Sequence, residues 1–249
     1  MSEKIEKKQN TFLKRIMIVI AALLLFWMIV RTVLFSLFSI PSVSMMPTLL
    51  VGDYIFVNKF AYGYSKYSLP FSSNLFSGRI LEFNAPNRGD VVVFRLPRNP
   101  AVTYVGRLVG LPGDRIQMKA GVLFINDQPV QKQPDGVVDF NDVFGSHTDV
   151  LVFREWLDNG VSYQVLDQIK DSRGDNTPEF VVPQGQYFMM GDHRDNSNDS
   201  RFDVGYVPAE NLVGRVSVIF FSLNKDEPLD SDSETPDYVR WDRLFKVVE

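Results

Sequence analysis

The chain has 249 residues, of which 45% are hydrophobic, with no cysteine and only two histidines, His147 and His193. This length suits one or two domains with a substantial hydrophobic core. The absence of cysteine excludes disulfides, a thiol nucleophile and cysteine-ligated zinc, and two imidazoles exclude a three-histidine metal site. Hydroxyls, carboxylates, amines and amides remain for chemistry, and we expect neither a metal nor a cofactor.

The formal net charge of −4 conceals two regions of opposite sign. Residues 1–40 contain six basic and two acidic residues, which leaves 20 basic and 28 acidic residues in 41–249. The larger part of the chain is therefore acidic and has no electrostatic reason to bind nucleic acid.

The first predicted element is a helix over the uncharged apolar run Ile16–Val30, which follows a basic cluster. A bilayer span takes about 20 helical residues, and Ile16–Leu37 supplies that length. A cleaved signal peptide would have a shorter apolar core, and a buried amphipathic helix would have a polar face. We therefore expect a cytoplasmic tail at 1–15, a transmembrane anchor at 16–37 and an extracytoplasmic domain at 38–249, oriented by the positive-inside bias.

Beyond the anchor the sequence predicts a mainly β fold. Runs of β-branched and aromatic residues alternate with turn signals such as Leu111–Asp114 and Pro183–Gly185. Residues 127–182 are more polar and acidic, and we expect them to form an insertion carried on the β core. The predicted strands are Tyr54–Phe60, Asp90–Arg95, Val102–Val109, Arg115–Met118, Val122–Ile125, Gln186–Met190 and Leu212–Phe221.

Two stretches carry most of the candidate chemistry. Ser42 and Ser44 flank a single residue, and in an extended segment residues i and i+2 share one face, so their hydroxyls would converge. A plain linker leaving the bilayer would account for the same residues. The segment Gly191–Arg201 is rich in Asp and Arg, which can form a rigid hydrogen-bonded network; the alternative is a solvated polar hairpin.

Four segments together resemble the successive boxes of bacterial type I signal peptidase, a membrane-bound serine protease with a Ser/Lys pair that removes signal peptides from exported preproteins. Their order matches, and the predicted anchor lies directly before the first of them. The resemblance implies an antiparallel β core with an inserted second β-rich domain, a location in the bacterial inner membrane, and signal peptides and the lipid bilayer as partners. The four segments are Ser42–Asp53, Arg88–Phe94, Arg107–Asp114 and Gly191–Arg201.

The resemblance also implies roles for individual residues. Ser44 takes the position of the nucleophile, and Ser42 takes that of the hydroxyl that helps to form the oxyanion hole. The position of the general-base lysine is occupied by Gly106, and glycine cannot accept a proton. The supporting positions are Ser197, which hydrogen-bonds the lysine in the family, and two carboxylate–guanidinium pairs, Asp199 with Arg201 and Asp192 with Arg107.

Three hypotheses follow from Gly106. The chain belongs to a peptidase lineage that has lost its lysine and is inactive or severely impaired; it is a natural pseudo-peptidase that binds signal peptides without cutting them; or it is an anchored β protein with a structural role. His193, where the family usually has asparagine, is a candidate substitute base if it reaches within about 3 Å of Ser44 Oγ. The apolar residues Leu69, Phe71, Leu75 and Phe76 form either a patch that dips into the bilayer or the core of a hairpin.

Overall fold

The computed structural model of the chain describes residues 2–68, 78–81, 84–141, 147–224 and 238–248. The apolar residues considered above as a membrane-facing patch, at 69–76, lie outside this range. The helices are α1 (Ser2–Leu34) and four short 3-10 helices, Lys59–Ala61, Arg194–Asn196, Ala209–Asn211 and Trp241–Arg243. The strands are β1 (Phe35–Ser39), β2 (Asp53–Asn58), β3 (Tyr64–Ser65), β4 (Arg79–Ile80), β5 (Val91–Leu96), β6 (Asn99–Gly110), β7 (Arg115–Lys119), β8 (Val122–Ile125), β9 (Gln128–Pro129), β10 (Gln131–Asn141), β11 (His147–Trp156), β12 (Ser162–Leu166), β13 (Phe180–Val181), β14 (Gln186–Met190), β15 (Val207–Pro208), β16 (Leu212–Ser222) and β17 (Lys246–Val247).

Helix α1 differs from the predicted anchor at both ends. It begins at Ser2, within the predicted tail 1–15, and it ends at Leu34 rather than at residue 37. The helix stops there because the next segment, Phe35–Ser39, is extended and pairs with β2 along its whole length. Among the described side chains, no helix is both long enough and apolar enough to cross a membrane.

The largest sheet has eight strands and carries the segments that resemble the peptidase boxes. Seven of its strands lie in the order β1-β2-β16-β5-β6-β14-β15, and β17 pairs with β16. In the β5–β6 hairpin, Val92 lies opposite Gly106 and Val91 lies opposite Arg107. Strand β14 pairs with the other edge of β6. All neighbouring strands in this sheet are antiparallel, so the predicted mainly β, antiparallel fold is confirmed.

Residues 115–181 form two smaller antiparallel sheets, with the orders β13-β7-β8-β9 and β10-β11-β12. The two long strands β10 and β11 occupy the polar stretch that we expected to be an insertion. The departure from the large sheet begins at Arg115, upstream of the expected boundary at 127. It begins there because β7 and β8 pair with β13 and β9 rather than with the large sheet.

A single apolar cluster joins the three sheets. It combines Val109 and Phe188 from the large sheet with Ile116 and Leu123 from the second sheet and Val165 from the third. Each of these side chains is at most 1% exposed, and complete burial of such a side chain contributes about 1.5–3 kcal/mol. The smaller sheets are therefore packed against the strands that carry the candidate site.

Candidate active site

The first box is a compact turn between β1 and β2, and not the extended segment in which Ser42 and Ser44 would share one face. Residues 44–48 are in turns, because Met45 and Leu49, both 0% exposed, pack into an apolar cluster beneath them. The two hydroxyls nevertheless meet, with Ser42 Oγ 3.3 Å from Ser44 Oγ. The turn therefore brings together the two side chains that the sequence singled out.

The loop after β14 holds Ser44 through its backbone. The N–H of His193 donates a hydrogen bond of 3.0 Å to the carbonyl oxygen of Ser44. Burial lowers the pKa of the His193 imidazole, although a hydrogen bond to the backbone of Val43 and the charge of Asp195 act in the opposite direction. The imidazole is thus directed to the backbone beside Ser44, and His193 is not among the residues that line the cavity described next.

Gly106 lines a cavity of about 390 Å³ together with Ser42, Ser44 and Ser197. A Cβ atom on Gly106 would lie 3.4 Å from the Cβ of Met189 and 3.5 Å from a ring carbon of Phe94. These are ordinary van der Waals distances, and both neighbours also line the cavity. Position 106 therefore has room for a side chain, which would begin among the walls of the cavity that contains the two serines.

Gly191 lies where the chain passes closest to these serines. A Cβ atom on Gly191 would lie 2.2 Å from Ser197 Oγ and 2.6 Å from the carbonyl oxygen of Ser44. Real Cβ atoms do not make contacts this short, so only glycine permits this approach. The N–H of Gly191 donates to Asp199 Oδ2 at 3.0 Å, which ties the end of β14 to the loop that follows it.

Asp199 and Arg201 form a buried bidentate pair, as the resemblance implied. Arg201 Nε donates to Asp199 Oδ1 at 3.0 Å and Arg201 Nη2 donates to Asp199 Oδ2 at 2.8 Å. The same Nη2 donates to the carbonyl oxygen of Arg194 at 2.7 Å. Parallel charge-assisted hydrogen bonds of this kind fix geometry as well as adding energy, so they restrain the loop that contains Ser197.

Arg107 and Asp192 form a second bidentate pair, with both hydrogen bonds 2.8 Å long. Thr48, at the end of the serine turn, donates to the same Asp192 carboxylate. The guanidinium also lies 4.0 Å from the centre of the Tyr163 ring. Burial alone would lower the pKa of Arg107, but the Asp192 carboxylate raises it above its ordinary value. Arg107 therefore stays charged and connects β6, the serine turn and the loop.

A third buried pair, Glu155 with Arg194, was missed by the sequence analysis. Both hydrogen bonds are short, at 2.6 and 2.5 Å, and Tyr163 Oη donates to Glu155 at 2.9 Å. Burial would raise the pKa of Glu155, but the charge and hydrogen bonds of Arg194 hold it below its ordinary value. Side chains two residues apart on a strand share a face, so Glu155 should lie on the same face of β11 as Leu151, which is exposed. The alternation along this strand therefore did not indicate that Glu155 is buried.

Three carboxylates outside this cavity are the described residues best suited to hold a cation. Oxygens of Asp167, Asp175 and Asp195 all lie within 4.8 Å of one another, and oxygen ligands suit calcium or magnesium. Protein groups already contact all three of them. Lys132 forms an ion pair with Asp167, and the N–H and hydroxyl of Ser172 donate to Asp175 at 2.9 and 2.8 Å. Asp195 accepts two backbone N–H hydrogen bonds, at 2.6 and 3.1 Å. The sequence analysis, which expected no metal, did not bring these residues together.

Comparison with known proteins identifies the class to which this fold and site belong. The sequence profile of the family described as "Signal peptidase, peptidase S26" matches residues 11–221. The chain therefore belongs to the S26 family of signal peptidases, and by family it is a serine endopeptidase.

Individual relatives agree with this assignment. Signal peptidase I of Rickettsia typhi is 42% identical over 203 residues, which cover 78% of this chain and 75% of the relative. Signal peptidase I of Rickettsia bellii is 40% identical over 215 residues, which cover 83% of this chain and 71% of the relative. A crystal structure of a signal peptidase I from Enterococcus faecalis V583 is 25% identical and covers 54% of this chain and 98% of its own, with a TM-score of 0.31. The family resemblance drawn from the sequence is confirmed.

Proposed function

We propose that this chain is a signal peptidase scaffold that retains the nucleophile and lacks the general base. In this proposal Ser44 attacks the scissile carbonyl of a preprotein, and Gly106 stands where the amine that activates Ser44 belongs. The chain as written cleaves its substrate several orders of magnitude more slowly than a variant with lysine at 106. The observation that carries the proposal is the cavity that Ser44 and Gly106 line together, with room for a Cβ atom at 106.

The proposed mechanism needs an amine for two proton transfers. A lysine amine in an apolar cavity has a lowered pKa, so it can take the proton from Ser44 Oγ as the oxygen attacks. It then returns a proton to the leaving amine of the cut peptide bond. Without it, only binding and stabilisation of the oxyanion contribute to the rate, as when a member of a catalytic triad is removed.

The proposed oxyanion hole consists of the Ser42 hydroxyl and the backbone N–H of Ser44. A tetrahedral intermediate places a negative oxygen that needs donors about 3 Å away, held in position before the reaction. Ser42 Oγ already lies 3.3 Å from Ser44 Oγ, which supports this role. The hydrogen bond from His193 N–H to the carbonyl oxygen of Ser44 restrains the backbone on the other side of the Ser44 Cα.

The proposed substrate is the signal peptide of an exported preprotein, bound in extended form. The resemblance implies small residues at positions −1 and −3 from the cut, and an extended chain can bind by adding a strand to a sheet. Asp199 with Arg201 and Asp192 with Arg107 hold the walls of the cavity in place, so the binding surface does not depend on the missing lysine. We therefore expect the chain to bind signal peptides.

The proposed location is the bacterial inner membrane, with the N-terminus in the cytoplasm and the peptidase domain outside it. This rests on the uncharged apolar run Ile16–Val30, which follows a basic cluster. Most large apolar side chains between Phe12 and Trp27 are more than half exposed, as suits contact with lipid. Protease protection in membrane vesicles tests the orientation: a tag before Lys4 should be cut only on the cytoplasmic side.

Cleavage of a preprotein by the full chain and by Gly106→Lys, with Gly106→Lys/Ser44→Ala as control, tests the proposed function. We expect Gly106→Lys to cleave at the signal-peptide junction and the other two chains to show a rate lower by several orders of magnitude. Near-equal turnover of the first two chains, lost on His193→Ala, would instead assign the base to His193. The second candidate function is a natural pseudo-peptidase, and the intact ion pairs Asp199–Arg201 and Asp192–Arg107 are consistent with it. This candidate would be favoured if both the full chain and Gly106→Lys bound the preprotein without cleaving it.

A further inference from the structure

The cavity beside Gly106 has a composition that suits a small organic amine as well as a covalently attached lysine. Phe94, Tyr104 and Met189 provide apolar and aromatic surface, and Ser44 and Ser197 provide hydroxyl groups. The volume of about 390 Å³ exceeds the roughly 30 Å³ that one water molecule occupies in the liquid. The cavity therefore has room for a short alkyl chain with a polar end, and its lining offers both apolar surface and hydroxyl partners.

We infer that this cavity is a binding site for a short primary alkylamine, and that a bound amine restores peptide-bond cleavage to the chain as it stands. The inference rests on the proposed function, because it assigns the same Ser44 as nucleophile. The inference adds that the base need not be covalently attached to the chain. The side chains that would contact the stem of a lysine at position 106 are present although the lysine is not.

The proposed step is balanced in atoms and protons. The neutral amine accepts the proton of Ser44 Oγ while Oγ forms a bond to the scissile carbonyl carbon. The resulting ammonium gives that proton to the leaving nitrogen as the carbon–nitrogen bond breaks. The amine then accepts a proton from water, whose oxygen attacks the acyl-serine ester, and the ammonium returns the proton to Ser44 Oγ. One water is consumed and the amine is unchanged.

Geometry sets the length of amine that fits best. Lysine has a four-carbon stem whose Cβ is bonded to Cα at about 1.5 Å. The terminal methyl group of a free amine must stay about 3.5–4.0 Å from the Cα of Gly106. The first carbon of a free amine therefore lies about 2 Å farther from the Cα of Gly106 than the Cβ of a lysine does, a distance equal to one or two carbons of the stem. An amine with two or three carbons, ethylamine or propylamine, should then restore activity best. Longer amines would place their nitrogen beyond the position of the lysine amine.

The substitution Gly106→Ala should shift the length of the amine that restores activity best. The added methyl group occupies the Cβ position, where its nearest neighbours are 3.4 Å away, and it removes about one carbon of space from the cavity. We expect the best amine for Gly106→Ala to be one carbon shorter than for the chain as it stands. Gly106→Leu places an apolar side chain in the part of the cavity next to position 106, where the lysine stem would lie, and should abolish the effect of every amine.

The experiment measures preprotein cleavage by the full chain in detergent with methylamine, ethylamine, propylamine and butylamine. We expect a saturable rise of about 10- to 100-fold, a part of the 10²–10⁴-fold that general base catalysis contributes. The rise should increase with pH toward the pKa of the free amine, because the neutral form is the base. Ser44→Ala should show no rise, and saturation-transfer NMR should detect amine binding to the chain but not to Gly106→Leu.

The outcomes separate this inference from the proposed function. If Gly106→Lys cleaves and no amine stimulates the parent chain, the amine site is wrong and the proposed function stands. If neither Gly106→Lys nor any amine gives cleavage, the proposed function fails, and the inference fails with it. Stimulation that does not saturate, or that is equal for Gly106→Leu, would show catalysis by amine in bulk solution and would also overturn the site.

Discussion

The carboxylate of Glu155, on β11 of a smaller sheet, forms two hydrogen bonds with the guanidinium of Arg194, in the loop that follows β14 of the large sheet, at 2.6 and 2.5 Å. The two side chains are 0% and 2% exposed. Arg194 directly follows His193, whose N–H holds the carbonyl oxygen of Ser44. The smaller sheet is therefore connected through one ion pair to the backbone that holds Ser44, the proposed nucleophile.

Removal of one partner of this pair should strongly destabilise the fold. We expect Glu155→Gln to lower the free energy of unfolding by about 3–5 kcal/mol, because it leaves the Arg194 charge buried and uncompensated. The measurement is chemical unfolding in detergent, followed by tryptophan fluorescence. Arg98→Gln is a suitable control, because Arg98 and Asp203 are 57% and 63% exposed, and its effect should be at most about 1 kcal/mol. A similar small loss for both variants would contradict a structural role for the pair.

Much of the large sheet could be predicted from the sequence. In the large sheet, the strands β2, β5, β6, β14 and β16 were predicted to within three residues at either end, and so were β7 and β8 of the second sheet. Apolar runs of strand length are separated there by strong turn signals. The serines, Gly106 and the Asp/Arg loop could be brought together only through the family resemblance. The alternation of apolar and polar residues along a strand indicates which face of the sheet a residue occupies. It does not indicate which strands are neighbours in the sheet.

Other elements could not be predicted, for physical reasons that differ. β10 contains many polar residues because its described side chains, at 131–137, are almost all exposed, so its sequence is similar to that of a loop. β1 continues the apolar run of α1, and composition alone does not mark the change from a period of 3.6 to a period of two. Glu155 was overlooked because its burial depends on contact between sheets, which no local pattern encodes.

Two glycine-to-alanine substitutions in the same cavity should have opposite effects. Gly191→Ala forces a methyl group to within 2.2 Å of Ser197 Oγ and 2.6 Å of the Ser44 carbonyl oxygen, so we expect a loss of about 1–3 kcal/mol in stability. Gly106→Ala meets nothing closer than 3.4 Å and restricts the unfolded chain, so it should be neutral or stabilising by up to about 1 kcal/mol. Thermal unfolding of both variants checks this; destabilisation of equal size would show that position 106 has no room.

The His193 imidazole should make stability depend on pH in the mildly acidic range. Burial lowers the pKa of His193 in the folded chain, so the unfolded chain binds this proton at a higher pH than the folded one. The free energy of unfolding should then fall as the pH decreases from about 6.5 through the lowered pKa. His193→Asn removes the titrating group, and the difference in stability between the two chains should vary over this window. A difference that is constant from pH 7 to pH 5 would contradict the prediction.

Ser42 should affect the chemical step and not the binding of substrate. In a chain made active by Gly106→Lys, we expect Ser42→Ala to lower kcat by about 10²–10³-fold with little change in KM, because the hydroxyl contacts an oxygen that is negative only in the transition state. Ser39→Ala is the matched control, since Ser39 is exposed at the end of β1, three residues before Ser42. Steady-state kinetics on a preprotein give both constants. If Ser42→Ala raised KM and left kcat unchanged, Ser42 would belong to the substrate-binding surface, and the oxyanion would have to be stabilised by backbone donors alone.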